Sequence, residues 1–343
     1  MDGSLEAGNL TNSTEHGNPT VMGGFLLVYD SCLILLSVLI MATNGIVLLL
    51  FTLKPRLRTK TNCLLASLAV SDIGMGLCGI PTFIGCNVTF IRGLCVSSAV
   101  SYRFVAVSTM FHIFAVTVER YISIIYPLKY MAIVNRARIY RTITVIWLTS
   151  LFFAIVQLSW VNTSAWSPQT ATQLHISLIY HSIGAVTCFV VPFVIMVFIY
   201  GQMFTVIHKQ VTDIRKQHVA TESNSFRPIY TELRAISVFA TMLSIFAFCW
   251  ITWYISIFGL YVEKIGVAFV DVAEVVWMIC DFLRFSTSFL NPLLYTYLKY
   301  DFRTATNSVL CGWRERRSGK IIKTSQINET QCSLYDNYEV THC

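Results

Sequence analysis

Charge is scarce in this 343-residue chain. Asp, Glu, Lys and Arg together make up 13% of it, against 55% hydrophobic residues. Soluble domains carry about 25% charged residues, so the composition excludes an ordinary soluble protein and favours a membrane one. Several other patterns are missing. No HExxH or GxSxG constellation occurs, which removes the common metal-dependent and serine-dependent enzyme readings. The eleven cysteines include no CxxC pair, and Cys32, Cys63, Cys78, Cys188, Cys249 and Cys280 lie inside apolar runs, where they read as small core hydrophobes. No repeat of 20 to 50 residues is present, nor an inverted repeat, an ionisable relay along a pore or a broken mid-membrane helix, which argues against a solenoid, a transporter or a channel. The net charge of +7 does not imply a nucleic-acid partner, because the basic residues are dispersed between apolar blocks instead of gathered on one solvated face.

What is there is apolar and regularly spaced. Blocks fall at about 25–53, 62–85, 95–126, 140–161, 174–208, 233–262 and 267–297. Each is long enough, at about 1.5 Å per residue, to cross a hydrocarbon core about 30 Å thick. The expected organisation is an outer tail over 1–24, seven spans over 25–298, a short amphipathic helix over 299–311 and an inner tail over 312–343. Orientation follows from the placement of Lys and Arg. Lys54, Arg56, Arg58 and Lys60 follow the first block; Lys129, Arg136, Arg138 and Arg141 the third; Lys209, Arg215, Lys216 and Arg227 the fifth; and Arg303, Arg314, Arg316, Arg317, Lys320 and Lys323 the last. These loops are therefore expected inside, the amino terminus outside and the plasma membrane around the bundle. Sequons at Asn9, Asn12, Asn87 and Asn162 all fall on the side assigned to the outside, in the tail and in loops.

Polar residues inside spans are expensive and mark function by default, with helix–helix contact as the plain alternative. Here they form an ordered set. The first block holds Asn44, the second Leu68-Ala69-Val70-Ser71-Asp72, and the fourth Trp147. The third ends in Glu119-Arg120-Tyr121; the fifth has Pro192 and Tyr200, the sixth Phe246 and Trp250, and the seventh Asn291-Pro292-Leu293-Leu294-Tyr295. Any one of these is weak evidence. Together, over residues 25 to about 310, they resemble the rhodopsin-like (class A) G-protein-coupled receptors.

The resemblance implies a seven-helix receptor, not an enzyme, that couples an external ligand to a heterotrimeric G protein, with arrestin and a receptor kinase as further partners. Arg120 resembles the arginine that contacts the G protein when released from acidic partners, which here would be Glu119 and Glu232. Trp250 and Phe246 resemble the packing switch of helix six, and Tyr200 and Tyr295 the tyrosines that reorganise on activation. Asp72 resembles the carboxylate that holds a sodium ion, with Thr109, Ser288 and Asn291 as oxygen ligands; a protonated or merely hydrogen-bonded aspartate is the alternative.

The chain also departs from the family. Thr287 stands where an asparagine is usual, and Thr252 stands where helix six has a kinking proline; threonine can bend a helix weakly by bonding to its own backbone. Cys95, about 37 Å before Arg120 along the helix, matches the family's disulfide cysteine. Its usual partner is missing, since no cysteine lies between Trp147 and Cys188. Cys86 is the substitute candidate, bridge and free thiol both remaining open. Cys311 is a palmitoylation candidate.

Tyr102 occupies the place of the aspartate that binds ammonium in amine receptors, and Phe285 that of the retinal lysine, so neither ligand is expected. The pocket candidates are Tyr102, Trp253, Tyr254, Asp281 and Arg284, with Arg103 and His181 nearby. Asp281 and Arg284 are three apart on one helix face, where pairing with each other competes with ligand contact. An aromatic cage with one acid and one base suits a small polar or amphiphilic molecule or a short peptide. A seven-helix transporter and a non-signalling decoy receptor are the rival readings.

Overall fold

The computed structural model describes residues 26–161, 170–217, 227–264, 274–298 and 302–305, and the side chains of Glu232 and Tyr295 are also outside the description. Asn9, Asn12, Asn162 and Cys311 lie outside the described residues, as do the tails over 1–24 and 312–343 and most of 299–311. The described chain is α-helical with no strand.

Local chemistry sets where the helices begin. In α1 (Leu27–Leu53), Asp30 accepts a hydrogen bond from the Leu26 N–H at 2.7 Å, meeting one of the amides that a helix start leaves open. Thr59 caps the next helix by accepting from the Asn62 N–H. α3 (Arg92–Ile125) runs for 34 residues, and a short helix (Pro127–Ile133) follows it. Asn135 caps the helix Arg136–Ile155, here α4, by accepting from the Arg138 N–H. Thr170 and Gln173 form a reciprocal capping box at the start of the fifth span. α6 (Arg227–Lys264) and α7 (Glu274–Leu298) complete the set, with Pro292 inside α7.

Two spans are not uniform helices. α2 runs Lys60–Gly74, passes through a π-helical turn Met75–Gly79 and resumes as Ile80–Thr89. α5 does the same through Ala171–Gly184, Ala185–Val190 and Val191–Gln217. In each case the wide turn lies just ahead of a proline, Pro81 or Pro192. A proline ring has no N–H and collides with the carbonyl four residues earlier, and a wide turn relieves that collision. The apolar-block reading could not register this, because hydrophobic length is the same either way.

α2 also extends further than expected. Cys86 and the sequon Asn87-Val88-Thr89 were assigned to a loop, yet they form the last turns of this helix. The Thr89 hydroxyl donates to the Gly85 carbonyl at 2.6 Å, and only Phe90 and Ile91 separate α2 from α3. Glycine and a sequon look like loop chemistry, but the helix continues where Cys86 is tied to Cys95, with Cα atoms 4.7 Å apart.

Six of the described helical runs are long and apolar enough to cross a membrane. α7, which carries Asp281 and Arg284 within its length, is not among these six but packs between α1 and α6. α3 is the central helix, touching α2, α4, α5 and α6. The core runs from Val47, Leu50 and Leu68 through Met110, Ile113 and Val116 to Phe246 and Trp250, and Phe302 of the stretch 302–305 is buried in it. Leu35, Leu148, Phe198 and Phe248 face outward, as acyl chains require of a bundle whose backbone bonds are satisfied internally. The chain is thus a multi-pass membrane protein built as a seven-helix bundle.

Candidate ligand site and transducing core

At the disulfide end of the bundle, aromatic and charged side chains converge from α3, α5, α6 and α7. Arg284 is 3% exposed and pairs with Asp281 at 2.7 Å, the i,i+3 contact that the spacing permits. Its guanidinium lies 4.1 Å from the Tyr102 ring centre and 4.7 Å from that of Phe285. Desolvated cation–π contacts of this kind are worth about 2 kcal/mol. Across Tyr102 lies a second guanidinium, that of Arg103, 5.6 Å from the same ring and 5.2 Å from Tyr180. Arg103 Nη2 is 3.1 Å from His181 Nε2. His181 Nδ1 lies 2.7 Å from the Ser177 carbonyl, which can only accept, so Nδ1 carries the hydrogen and Nε2 is free to accept from Arg103. Tyr261 also reaches His181 Nδ1 at 3.0 Å.

From Tyr102 a column of rings descends through the bundle. Tyr102 meets Trp253 edge-on at 5.7 Å, Trp253 meets Trp250 at 5.5 Å, and Trp250 stacks on Phe246 at 5.7 Å. Tyr254 branches from the column toward Phe189 of α5. These spacings are those at which aromatic pairs attract beyond simple burial. Beside the column, Thr252 donates to the Cys249 carbonyl at 2.9 Å and reaches that of Phe248 at 3.3 Å. Threonine back-bonding thus occurs where the family has proline, and α6 continues unbroken for 38 residues.

Midway down the bundle sits Asp72, wholly buried. Asn291 Nδ2 donates to its Oδ2 at 3.2 Å and Ser288 faces it, while Oδ1 and the nearby Ser71 hydroxyl have no hydrogen-bond partner. Thr109 is buried on α3. Asn44 ties α1 to α7 by donating to the Ser288 carbonyl at 3.0 Å. Thr287, in the place of the usual asparagine, turns its hydroxyl back to the Arg284 carbonyl at 2.7 Å.

At the opposite end, Arg120 grips Glu119 through Nε at 2.7 Å and Nη2 at 3.1 Å. Thr61 of α2 donates to Glu119 Oε2 at 2.8 Å and accepts from Arg120 Nη2. Tyr130, on the short helix after α3, donates to Glu119 Oε1 at 2.5 Å, and the Lys60 ammonium lies 4.4 Å over its ring. Three residues before Arg120, the Thr117 hydroxyl donates to the Ile113 carbonyl at 2.8 Å, so the contact at 2.9 Å between Thr117 and Tyr200 is donated by the tyrosine. Tyr121 rests against Tyr126. A cleft of about 620 Å³ opens beside Glu119 between α3 and α4, walled by Phe111, Phe114, Val118 and Val145, and none of the column's rings lines it.

Some of these partners escaped the reading of the sequence. Thr61, Lys60 and Tyr130 carry no motif: the packing of α2 on α3 brings Thr61 to Glu119, and the short helix after α3 brings Tyr130 to Glu119 and under Lys60. His112 was missed as well. It is fully buried, with Nδ1 2.8 Å from the Ser108 carbonyl and Nε2 2.9 Å from the Ser67 hydroxyl, which also accepts from Trp147 Nε1 at 2.9 Å. An isolated histidine in an apolar run was the signal for that bridge between α2, α3 and α4.

Comparison with known proteins bears on the whole of this arrangement. The model of the seven-transmembrane receptors of the rhodopsin family matches residues 43–295. The histamine H2 receptor of Cavia porcellus is 27% identical over 319 residues, covering 88% of this chain and 85% of the relative. Its Homo sapiens counterpart is 27% identical over 293 residues, covering 81% and 79%. The adenosine receptor A2b of Gallus gallus is 26% identical over 306 residues, covering 81% and 88%. The matched segment includes Asn44, Asp72, Arg120, Trp250 and Pro292 in the order and depth just described. With more than half of its length matched, this chain belongs to the rhodopsin family of seven-transmembrane receptors.

Proposed function

We propose that this chain is a plasma-membrane receptor, amino terminus outside, that binds a small molecule or short peptide at the disulfide end and activates a heterotrimeric G protein at the Arg120 end. The carrying observation is the unbroken ring column from Tyr102 through Trp253 and Trp250 to Phe246, which joins the candidate pocket residue Tyr102 to the core of α6 in one packed series. A ligand that binds better when α6 has swung outward shifts the population toward that state, to the extent of its differential affinity. Outward movement opens the cleft in which Arg120, released from Glu119, meets the G protein; arrestin and a receptor kinase would act on the same face. Relatives named for histamine and adenosine support a small-molecule ligand. Tyr102, in place of the amine-binding aspartate, speaks against histamine itself.

Asp72 would hold a sodium ion in the resting state. The unpartnered Oδ1 and the Ser288 hydroxyl that faces the carboxylate are hard oxygens of the kind such a cation takes, and Thr109, buried on α3, would add a third. Asn291 meets the carboxylate through its N–H, so its oxygen joins the set only with the amide turned over.

The test is basal and ligand-stimulated G-protein dissociation in cells, wild type against Arg120→Ala at matched surface levels. Dissociation that disappears in the variant supports the reading and names the coupling class. Silence of every sensor with the wild type across a broad ligand panel would favour a decoy.

A further inference from the structure

Among the described residues, the ligand-side cluster is unbalanced in charge. Asp281 is committed to Arg284 at 2.7 Å, and Asp30 is committed to the start of α1 through the Leu26 N–H. No carboxylate among the described residues pairs with Arg103. Its Nε and Nη1 are buried and have no hydrogen-bond partner, while Nη2 meets the neutral acceptor Nε2 of His181 and the guanidinium also bears on the neutral Tyr180 hydroxyl. Arg284 Nε and the Tyr29 hydroxyl are likewise buried and unpartnered, and Arg284 itself is 3% exposed. An arginine is charged under all ordinary conditions and carries five N–H donors and no acceptor. Arg103 is only partly buried as a residue, but keeping its Nε and Nη1 donors away from water with nothing to accept from them is costly. A structural arginine would have been given an acid or a cage of carbonyls; this one has aromatic rings, which offer partial compensation and a surface for an apolar ligand.

Building on the reading that this end binds the ligand, we infer that the ligand carries a carboxylate, for which Arg103 is the anchor. The anion accepts from the unmet Arg103 donors, and its apolar or aromatic part lies against Tyr102, Tyr180 and Trp253. Arg284 stays with Asp281 and supplies its spare Nε–H to the same end of the bundle. The relatives' named ligands, histamine and adenosine, carry no carboxylate, so the inference separates this chain from them on chemistry that Arg103 alone supplies.

The experiment uses the full chain purified into lipid nanodiscs with no G protein present. The probes are 3-phenylpropanoate, 3-phenylpropanamide and 3-phenylpropylamine at millimolar concentration, which place an anion, a neutral amide and a cation on one skeleton. Binding is read by saturation-transfer NMR and by the shift in thermal unfolding. The expected result is binding of the carboxylate over the amide and the amine, weakened about thirtyfold or more in Arg103→Gln and partly kept in Arg103→Lys. Without any probe, Arg103→Gln should unfold at the same temperature as the wild type or higher, because an uncompensated charge has been removed. Equal binding of the three probes, no binding of the carboxylate, or carboxylate binding unchanged in a folded Arg103→Gln overturns the inference. So does a loss of unliganded stability in Arg103→Gln that Arg103→Lys restores, since that identifies a structural cation. Because no G protein takes part, a receptor that couples but ignores carboxylates defeats only this inference, and one that binds them but releases no G protein defeats only the signalling reading.

Discussion

Glu119 shows how much a single side chain can gather. One carboxylate accepts from Arg120, Thr61 and Tyr130 and so joins α2, α3 and the short helix Pro127–Ile133. A buried charge held by several donors is strongly destabilised when the set is thinned. Tyr130→Phe removes one donor and leaves the ring under Lys60, so the expected outcome is higher basal G-protein dissociation with thermal stability lowered by only about 1 kcal/mol. Basal signalling at or below the wild-type level would mean that this bond does not restrain Arg120. His112 makes the contrasting case. Its three-helix bridge with Ser67 and Trp147 touches neither the ring column nor Arg120, so His112→Ala should lower stability by about 1–2 kcal/mol with coupling per folded receptor unchanged. Altered coupling at equal folded receptor would put His112 in the transduction path. At Asp72 the expectation concerns an ion: sodium, compared with choline, should raise the unfolding temperature of the wild type and not of Asp72→Asn, because only the native carboxylate gives the ion a charged ligand.

Single helices carry two further expectations. Gly76 lies where α2 presses on α1: a Cβ there would stand 3.0 Å from the Ser37 carbonyl oxygen, which is backbone and cannot step aside, and Ser37 already donates to the Gly76 carbonyl at 2.7 Å. Gly76→Val should therefore lower the unfolding temperature through overpacking of about 1–3 kcal/mol, and a neutral result would mean that the α1–α2 contact is looser than described. In α6, Thr252→Pro removes an N–H and the back-bonding hydroxyl and restores the family's kink, so basal signalling should rise while stability falls; unchanged basal signalling would detach the bend at Thr252 from receptor activity. The element scale also shows what the sequence made legible. Seven apolar blocks and their basic flanks located the spans because hydrocarbon demands about 20 apolar residues whatever the detail. The π-turns before Pro81 and Pro192 and the helical extension through Asn87 were hidden, since they depend on backbone hydrogen bonds that hydropathy does not see. Motif residues such as Asp72, Arg120 and Trp250 were readable in place. Their partners Thr61, Tyr130 and His112 were not, because each meets its site through tertiary folding and not through spacing along the chain.

For the molecule as a whole, the proposed signalling joins two distant ends through α6. The ring column reaches α6 from the ligand side, and Arg120 waits under its paired acid at the other end, so the central claim is that α6 exists in two arrangements whose balance ligand and G protein share. Packed cores favour discrete alternatives over continuous bending, which makes the claim a statement about populations. The direct measurement is a spectroscopic distance distribution between spin labels at Ser237→Cys on α6 and Tyr140→Cys on α4, both exposed positions, with exposed Cys32 and Cys78 and the later Cys311, Cys332 and Cys343 replaced. It is taken on the purified receptor alone and with a nucleotide-free G protein of the class found in cells. The account predicts a second, longer distance that grows when the G protein is added and does not grow in Arg120→Ala. One distance, unmoved by the G protein in a receptor that still couples in cells, would contradict it.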